Sequence, residues 1–253
     1  MSITHNNGEK MLPPFDHHSP SKCNLFAAQP AMWVCEVILG LKQPVGVPAH
    51  RGVAVEDGLT CGLKNLDQPV KDCIDVALTK FDTLTALNGD PRRDKYRASI
   101  PDMVRAALAE LRQYGEPTGM QGRIERHYEG LTLPMLGFYD YEWQQHGILL
   151  DLKTSDKMPG QIKVGHARQV AHYTAGNAQA RIAYVTPKKL EVYGLENISE
   201  HRQSLVAIAK RIEKFRSLSD DPQFFVDITA PDIDSFYWAN PAARALAFQV
   251  WGI

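Results

Sequence analysis

The spacing of apolar residues changes once along the chain, near Met120, and this one change restricts the fold more than any motif does. Before it, apolar side chains recur at intervals of three and four; after it they come in short runs suited to strands. Ser19 or Ser21 can cap a short helix, and Pro30 can open a second that carries Trp33, Val34, Val37, Ile38 and Leu41, with Gly40 marking its end. Helical patterns follow from about Gly52 to Leu63, Val70 to Leu87 and Ile100 to Tyr114, with Asn88-Gly89-Asp90-Pro91 as a breaker between the last two. The strand-like runs are MQGRIERHYEG, LTLPMLGFYDYEW, GILLDLKT and ARIAYVTPKKLEVYGL, the last reading as two strands. A helix from about Ile162 to Tyr173 interrupts them, another runs from about Glu200 to Ser217, and Pro241 begins a closing helix. The pattern predicts an α/β fold, a central mixed β-sheet flanked by helices, with a helical N-terminal part. Residues 1–18, polar and aperiodic, read as a mobile arm whose His17 and His18 belong to an exposed tail rather than to a metal site. Residues 19–253 read as a single domain: mainly helical over 19–115, the sheet core over 116–195 and C-terminal helices over 196–253.

Composition narrows the classes of function. With 44% hydrophobic and 23% charged residues in 253, the chain can bury an ordinary core without disulfides, which excludes disordered, collagen-like and coiled-coil classes. No window reaches roughly eighteen consecutive apolar residues, and Met1 to Phe15 has neither a basic start nor an apolar stretch. Neither a membrane span nor a secretory leader is expected, and the expected location is cytoplasmic. A formal charge of −1 gives no overall attraction for a polyanion, so any nucleic-acid contact must be local. Cys23, Cys35, Cys61 and Cys73 form no C-x-x-C pair and read as reduced, mostly buried thiols. No G-x-x-x-x-G-K-[ST] occurs, so no nucleotide cofactor is expected and any motor must be another chain.

Chemistry concentrates in LPMLGFYDYEWQQHGILLDLKTS. On its second strand Ile148, Leu150 and Leu152 share one face, and Leu149, Asp151 and Lys153 the other. A turn centred between Gln145 and His146 pairs Trp143 with Ile148 and sets Asp140 opposite Asp151. Directly opposed residues have Cβ atoms about 4.5–5.5 Å apart, where like charges repel, so two carboxylates there call for a cation. Hard oxygen donors favour Mg²⁺ or Mn²⁺ over zinc, and the Lys153 ammonium can orient a water or stabilise charge on a phosphoryl oxygen. A shifted register, or both acids at an exposed hairpin edge with Lys153 as a surface ion pair worth at most about 1 kcal/mol, accounts for the same letters.

Five segments stand in order: SPSKCNLFAAQP from Ser19 to Pro30, RGVAVE from Arg51 to Glu56, GFYD from Gly137 to Asp140, DLKT from Asp151 to Thr154, and QVAHY from Gln169 to Tyr173. In that order they resemble the PD-(D/E)XK nuclease superfamily, and within it the RecB-like exonuclease branch that includes AddB-type nuclease domains. The resemblance implies a restriction-endonuclease-like core in which Asp140 and Asp151 bind the catalytic metal, the Leu152 carbonyl is a further ligand and Lys153 positions the attacking water. Glu56 falls where the branch has a histidine; a carboxylate there supplies another oxygen ligand and leaves the choice between one and two metals open. Gln169 and Tyr173, four apart on a helix, share a face that the resemblance places beside the active site, to hold the DNA backbone or order the water. No role is assigned to His166 or His172. Many members of the branch carry an iron–sulfur cluster whose first cysteine precedes the proline of the opening motif. Here that position is Gln29 and no cysteine follows Cys73, so no cluster is expected, and Trp238, Phe236 and Trp251 are expected to secure the C-terminal segment by apolar packing.

The reading is a Mg²⁺- or Mn²⁺-dependent, ATP-independent DNA exonuclease leaving 5′-phosphate and 3′-hydroxyl ends, in bacterial or phage DNA recombination and repair, beside a single-strand annealing or recombinase partner. Candidate backbone contacts are Arg92, Arg93, Lys95 and Arg97 in the loop after Asn88, and Lys210, Arg211 and Lys214 on the late helix. A structure-specific or nicking endonuclease is the alternative within the class, and a catalytically silent DNA-binding or assembly module the alternative outside it. A zinc hydrolase lacks a His/Cys ligand set. Polarity, strand preference and oligomeric state are not written in the sequence.

Overall fold

A computed structural model describes residues 11–174 and 178–253; the first ten residues of the expected arm lie outside the described residues. In chain order the helices are α1 (Pro20–Ala28), α2 (Pro30–Trp33, continued by a π-helical turn Val34–Ile38), α3 (Val47–Lys64), α4 (Val70–Leu84), α5 (Arg93–Leu111), α6 (Val164–Tyr173), α7 (Ile198–Arg216), α8 (Pro222–Asp227) and α9 (Pro241–Trp251). The strands β1 (Gly119–Arg126), β2 (Met135–Trp143), β3 (Ile148–Thr154), β4 (Gln179–Val185) and β5 (Leu190–Gly194) form one sheet in sequence order. The α/β class and the helical N-terminal part are those that the spacing predicts. Backbone contacts gather the chain into two units where a single domain was expected over 19–253: one takes the described residues up to Pro44 with Glu125–Leu136 and Arg202–Ile253, the other Val45–Ile124 with Gly137–His201. Their segments interleave along the chain, so no linker marks the division.

In the first unit, Ser19 caps α1 by accepting the Lys22 N–H at 3.3 Å, Pro20 and Pro30 occupy first-turn positions, and Gly40 leaves the π-helical turn with φ +68°. Trp33, Val34 and Ile38 pack with Met135, Leu205, Ile208, Ile212 and Phe225. The second half of the expected arm is packed rather than mobile. His18 is fully buried, donates its N–H to Pro134 O and accepts from Leu136 N–H, both at 2.8 Å, while Arg216 stacks over Phe15 and bonds Pro13 O.

In the second unit, Tyr141, Trp143, Ile148, Leu150, Leu152, Ala183 and Val185 face a core shared with α3, α4 and α5. Gly58 and Gly62 let α4 approach α3 closely, since a Cβ on Gly58 would stand 2.7 Å from Cys73 O. On the opposite face Val170 of α6 covers Ala180, Ile182 and Tyr184. Strands β3 and β4 are parallel with α6 as their crossover, whereas β2–β3 and β4–β5 are antiparallel, giving the mixed sheet. Helix α5 begins at Arg93, earlier than the expected Ile100, because Pro101 lies inside the helix instead of opening it. All four cysteines are free, with Cys23, Cys35 and Cys73 buried. Among the described residues no helix is long and apolar enough to cross a membrane.

Candidate active site

The β2–β3 hairpin takes the register that the turn length requires: Trp143 pairs with Ile148, Glu142 with Leu149 and Tyr141 with Leu150. One step further the same count sets Asp140 against Asp151. There the Asp140 carboxylate itself accepts the Leu152 backbone N–H at Oδ2, 2.6 Å away, and Oδ1 accepts from Gln121 Nε2 at 3.3 Å. Alternation along β2 shifts at this point. The Tyr139 hydroxyl donates to Glu142 Oε2 at 3.0 Å, although strict alternation puts residues three apart on opposite faces. Gly119 and Gly122 of β1 make room for the Tyr139 ring, since a Cβ on Gly122 would stand 2.1 Å from its Cζ. Beside them Gln121 adopts φ +52°, an uncommon backbone state for a residue with a side chain, and it is the residue that reaches Asp140.

Asp151 is 1% exposed, and Lys153 Nζ lies 2.6 Å from its Oδ2. That contact holds Oδ2 as an ion pair with hydrogen-bonding character, while Oδ1 lacks a hydrogen-bond partner among the described residues. Glu56 of α3 completes the group. Burial raises the Asp140 carboxyl well above its ordinary range, and the Asp151 and Glu56 charges add to it. Burial likewise pushes Glu56 up to about 7, with Asp151 and Asp57 raising it and Lys153 opposing. Burial also raises Asp151, against the pull of Lys153. For Lys153 burial works against the charge, but Asp151, Asp140 and Glu56 together outweigh it and keep the amine protonated.

These residues fit a divalent cation on one observation: the buried Asp151 carboxylate keeps an unpartnered Oδ1 beside two further acids, an arrangement of oxygen donors that a cation would satisfy. Asp140, Asp151 and Glu56 are the donors that could hold it. Among the described residues no group of three or more His, Cys, Asp or Glu side chains forms a ready metal cage. Sites for Mg²⁺ ordinarily use one or two carboxylates with waters and substrate phosphate rather than a cage of protein ligands.

Helix α6 supplies the second wall. Gln169 Nε2 donates to the Tyr173 hydroxyl at 2.7 Å. Tyr173 is 3% exposed; burial raises its phenol, and the Asp151 and Asp140 charges raise it further, so the Tyr173 hydroxyl lies within the field of those carboxylates. The glycine of the GFYD motif has a steric reason, because a Cβ on Gly137 would lie 2.3 Å from Tyr173 Cε1. Arg51 is 4% exposed, pairs with Asp156 at 2.5 Å and stacks on Tyr96 at 4.8 Å, which ties α3 to the segment just past β3. Gln121, Arg51 and Tyr139 were not assigned from sequence. Arg51 was legible as part of RGVAVE; Gln121 and Tyr139 depend on contacts between strands that no local pattern announces.

The basic candidates fall into two kinds. Arg92 pairs with Asp90 at 2.7 Å, and Arg93 and Arg97 both pair with Asp82, at 2.6 and 2.7 Å. They sit at and within the start of α5, not in a loop, and only Lys95 of that group is exposed without an acidic partner. Lys210, Arg211 and Lys214 of α7 are exposed and carry no ion pair among the described residues. At the C-terminal end Trp238 is fully buried, meets Trp251 edge-on at 6.0 Å and donates Nε1–H to Gln29 Oε1 at 3.2 Å. Phe236 takes no part in that packing; it is 87% exposed.

No protein-family model matches the chain, and no curated protein matches it. Among solved structures, that of the protein SSO0001 is similar at 15% identity over 76% of this chain and 95% of that one, with a TM-score of 0.36. A likeness at that level says nothing about the chemistry of this chain.

Proposed function

We propose that this chain is a metal-dependent DNA exonuclease of the PD-(D/E)XK type that hydrolyses phosphodiester bonds from DNA ends without ATP. Asp151 carries the reading: a buried carboxylate paired through Oδ2 with Lys153, whose Oδ1 has no hydrogen-bond partner among the described residues, within the field of Asp140 and Glu56. A buried acid beside two half-buried acids and a half-buried ammonium costs a fold stability, so the cluster has no evident structural use. The chemistry that Mg²⁺ or Mn²⁺ supplies to a site of Asp140, Asp151, the Leu152 carbonyl and Glu56 is Lewis acidity, which lowers the pKa of a water and neutralises charge on the phosphate. The chain's own groups do the rest. Lys153, kept protonated by its acidic neighbours, orients the attacking water or its hydroxide. Gln169 and Tyr173, bonded to each other, hold the DNA backbone beside the carboxylates. The working context is the cytoplasm of a bacterial or phage-infected cell, with linear DNA as substrate and a single-strand annealing or recombinase protein as partner in recombination or repair.

Degradation of end-labelled linear single- and double-stranded DNA with Mg²⁺ or Mn²⁺ tests this, with Asp151→Ala as control and covalently closed circles as a second substrate. Linear DNA is expected to be consumed, circles to survive, and Asp151→Ala and excess EDTA to abolish activity. Equal activity in Asp151→Ala, or activity undiminished by EDTA, overturns the proposal; nicked circles convert it to an endonuclease.

A further inference from the structure

His166 lies on α6 within the field of Lys153, and its two ring nitrogens have different surroundings. Nδ1 lies 2.7 Å from the Tyr184 hydroxyl. Tyr184, 1% exposed, also accepts the Lys163 backbone N–H at 3.2 Å. A buried hydroxyl proton needs an acceptor, and the Lys163 N–H can only donate. Among the described residues His166 Nδ1 is the acceptor in reach. Tyr184 therefore donates to Nδ1, which fixes the neutral imidazole with its proton on Nε2. The ring's one hydrogen bond seen among the described residues is at Nδ1, and the residue is only half-buried, which leaves Nε2 open to a ligand.

Its position follows from register. Tyr184 on β4 stands beside Lys153 on β3, so the two share a face of the sheet. His166 stands three residues before Gln169 and seven before Tyr173, on one stripe of α6. Tyr173, at the far end of that stripe, feels Asp151 and Asp140, and the near end feels Lys153. Burial first, then Lys153 and Lys163, hold the imidazole down to about 4, so it remains a neutral donor across the working range.

We propose that His166 is a phosphate-binding residue, donating its Nε2–H to a non-bridging oxygen of a phosphodiester in the strand held against Lys153. This rests on the nuclease reading above.

Three measurements test it on the full chain. Ring ¹⁵N spectra are expected to show the proton on Nε2, and a proton on Nδ1 overturns the inference whatever the activity. Anisotropy of a fluorescent single-stranded oligonucleotide in Ca²⁺ compares wild type with His166→Gln, whose amide reaches the Nε2 position, and with His166→Asn, whose amide stops at the Nδ1 level. His166→Asn is expected to weaken binding roughly tenfold, the loss for one hydrogen bond to a charged acceptor, and His166→Gln by no more than about threefold. In Mg²⁺ the same loss is expected in KM, with kcat little changed. Equal binding by His166→Asn in a protein that degrades DNA removes His166 from the site and leaves the nuclease reading intact. A wild type that neither binds nor degrades DNA overturns both. If His166→Asn fails to fold, His166→Gln and the ring spectra still decide.

Discussion

Lys153 Nζ stands 2.6 Å from Asp151 Oδ2, so among the described residues the buried carboxylate is held by this one ammonium while its Oδ1 has no hydrogen-bond partner. Removing the amine leaves an uncompensated buried carboxylate beside Asp140 and Glu56. Lys153→Met is expected to destabilise the metal-free protein by about 3 kcal/mol, and Asp151→Asn added to it to restore most of that loss. Urea denaturation in EDTA of the two single variants and the double variant checks this. Additive effects would show that the pair does not interact.

Asp140→Asn separates the charge of Asp140 from its hydrogen bond. The Asn oxygen can still accept the Leu152 N–H, but one negative charge beside Asp151 and Glu56 is gone. In EDTA the variant is expected to melt above the wild type, because repulsion has been relieved. Mg²⁺ is expected to raise the melting temperature of the wild type and leave that of the variant nearly unchanged. DNA degradation by the variant is expected to fall by at least about a hundredfold. Thermal melts with and without Mg²⁺ read the first two outcomes; an equal Mg²⁺ shift in both proteins would remove Asp140 from the ligand set.

The two basic groups predict opposite outcomes. Replacing Lys210, Arg211 and Lys214 of α7 together by Gln is expected to lower the slope of log affinity against log salt by roughly two, since each phosphate contact contributes about 0.7–0.9. Replacing Arg93 and Arg97 by Gln breaks the pairs with Asp82 and is expected to cost about 1 kcal/mol of stability, with little change in slope. Salt titrations of oligonucleotide binding, read beside denaturation midpoints, distinguish the two. An unchanged slope in the α7 variant removes that helix from the DNA path.

These contrasts show where sequence reading works. The hairpin register was legible because turn length and alternation are local and agree, and both put Trp143 against Ile148. Gln169 and Tyr173 were legible for the same reason, being one helical turn apart. The pairing of Arg93 and Arg97 was not legible, because their acidic partner Asp82 lies on another helix and the letters show cations but not their neutralisation. The helical pattern was read only from Ile100, whereas α5 runs back to Arg93 and keeps Pro101 in its interior. Neither the Tyr139 ring across Gly122 nor the reach of Gln121 to Asp140 has any sequence period, because each arises where neighbouring strands meet. Of the three aromatics given to the C-terminal packing, Trp238 and Trp251 meet edge-on as expected, while Phe236, placed there for its type alone, stays outside.

His18 supplies a pH dependence independent of the carboxylate cluster. It is fully buried, and its Nε2 lies 3.0 Å from Glu213 Oε1, whose carboxylate also accepts the Thr132 and Leu133 backbone N–H groups. Burial lowers the imidazole below its ordinary value of 6.5; Glu213 opposes, while His17 and Lys22 add to the lowering. Burial works against the Glu213 charge, but His18 and the two backbone N–H groups outweigh it and hold that carboxyl below 4.5. At pH values under 6.5 the unfolded chain therefore binds more protons at this histidine than the folded one, so stability falls as pH falls. Glu213 works in the same direction at lower pH, because its protonation removes the acceptor of two amides and of the imidazole. The raised carboxyls of Glu56, Asp140 and Asp151 favour the fold as pH falls and the lowered His166 opposes it, and these groups are common to wild type and variant. The His18 contribution is therefore read as a difference: from pH 7 to pH 5 the denaturation midpoint of His18→Gln, an uncharged donor of similar reach, is expected to gain on that of the wild type. Urea midpoints at several pH values in EDTA check it; a difference that does not change with pH would assign the acid sensitivity to other groups.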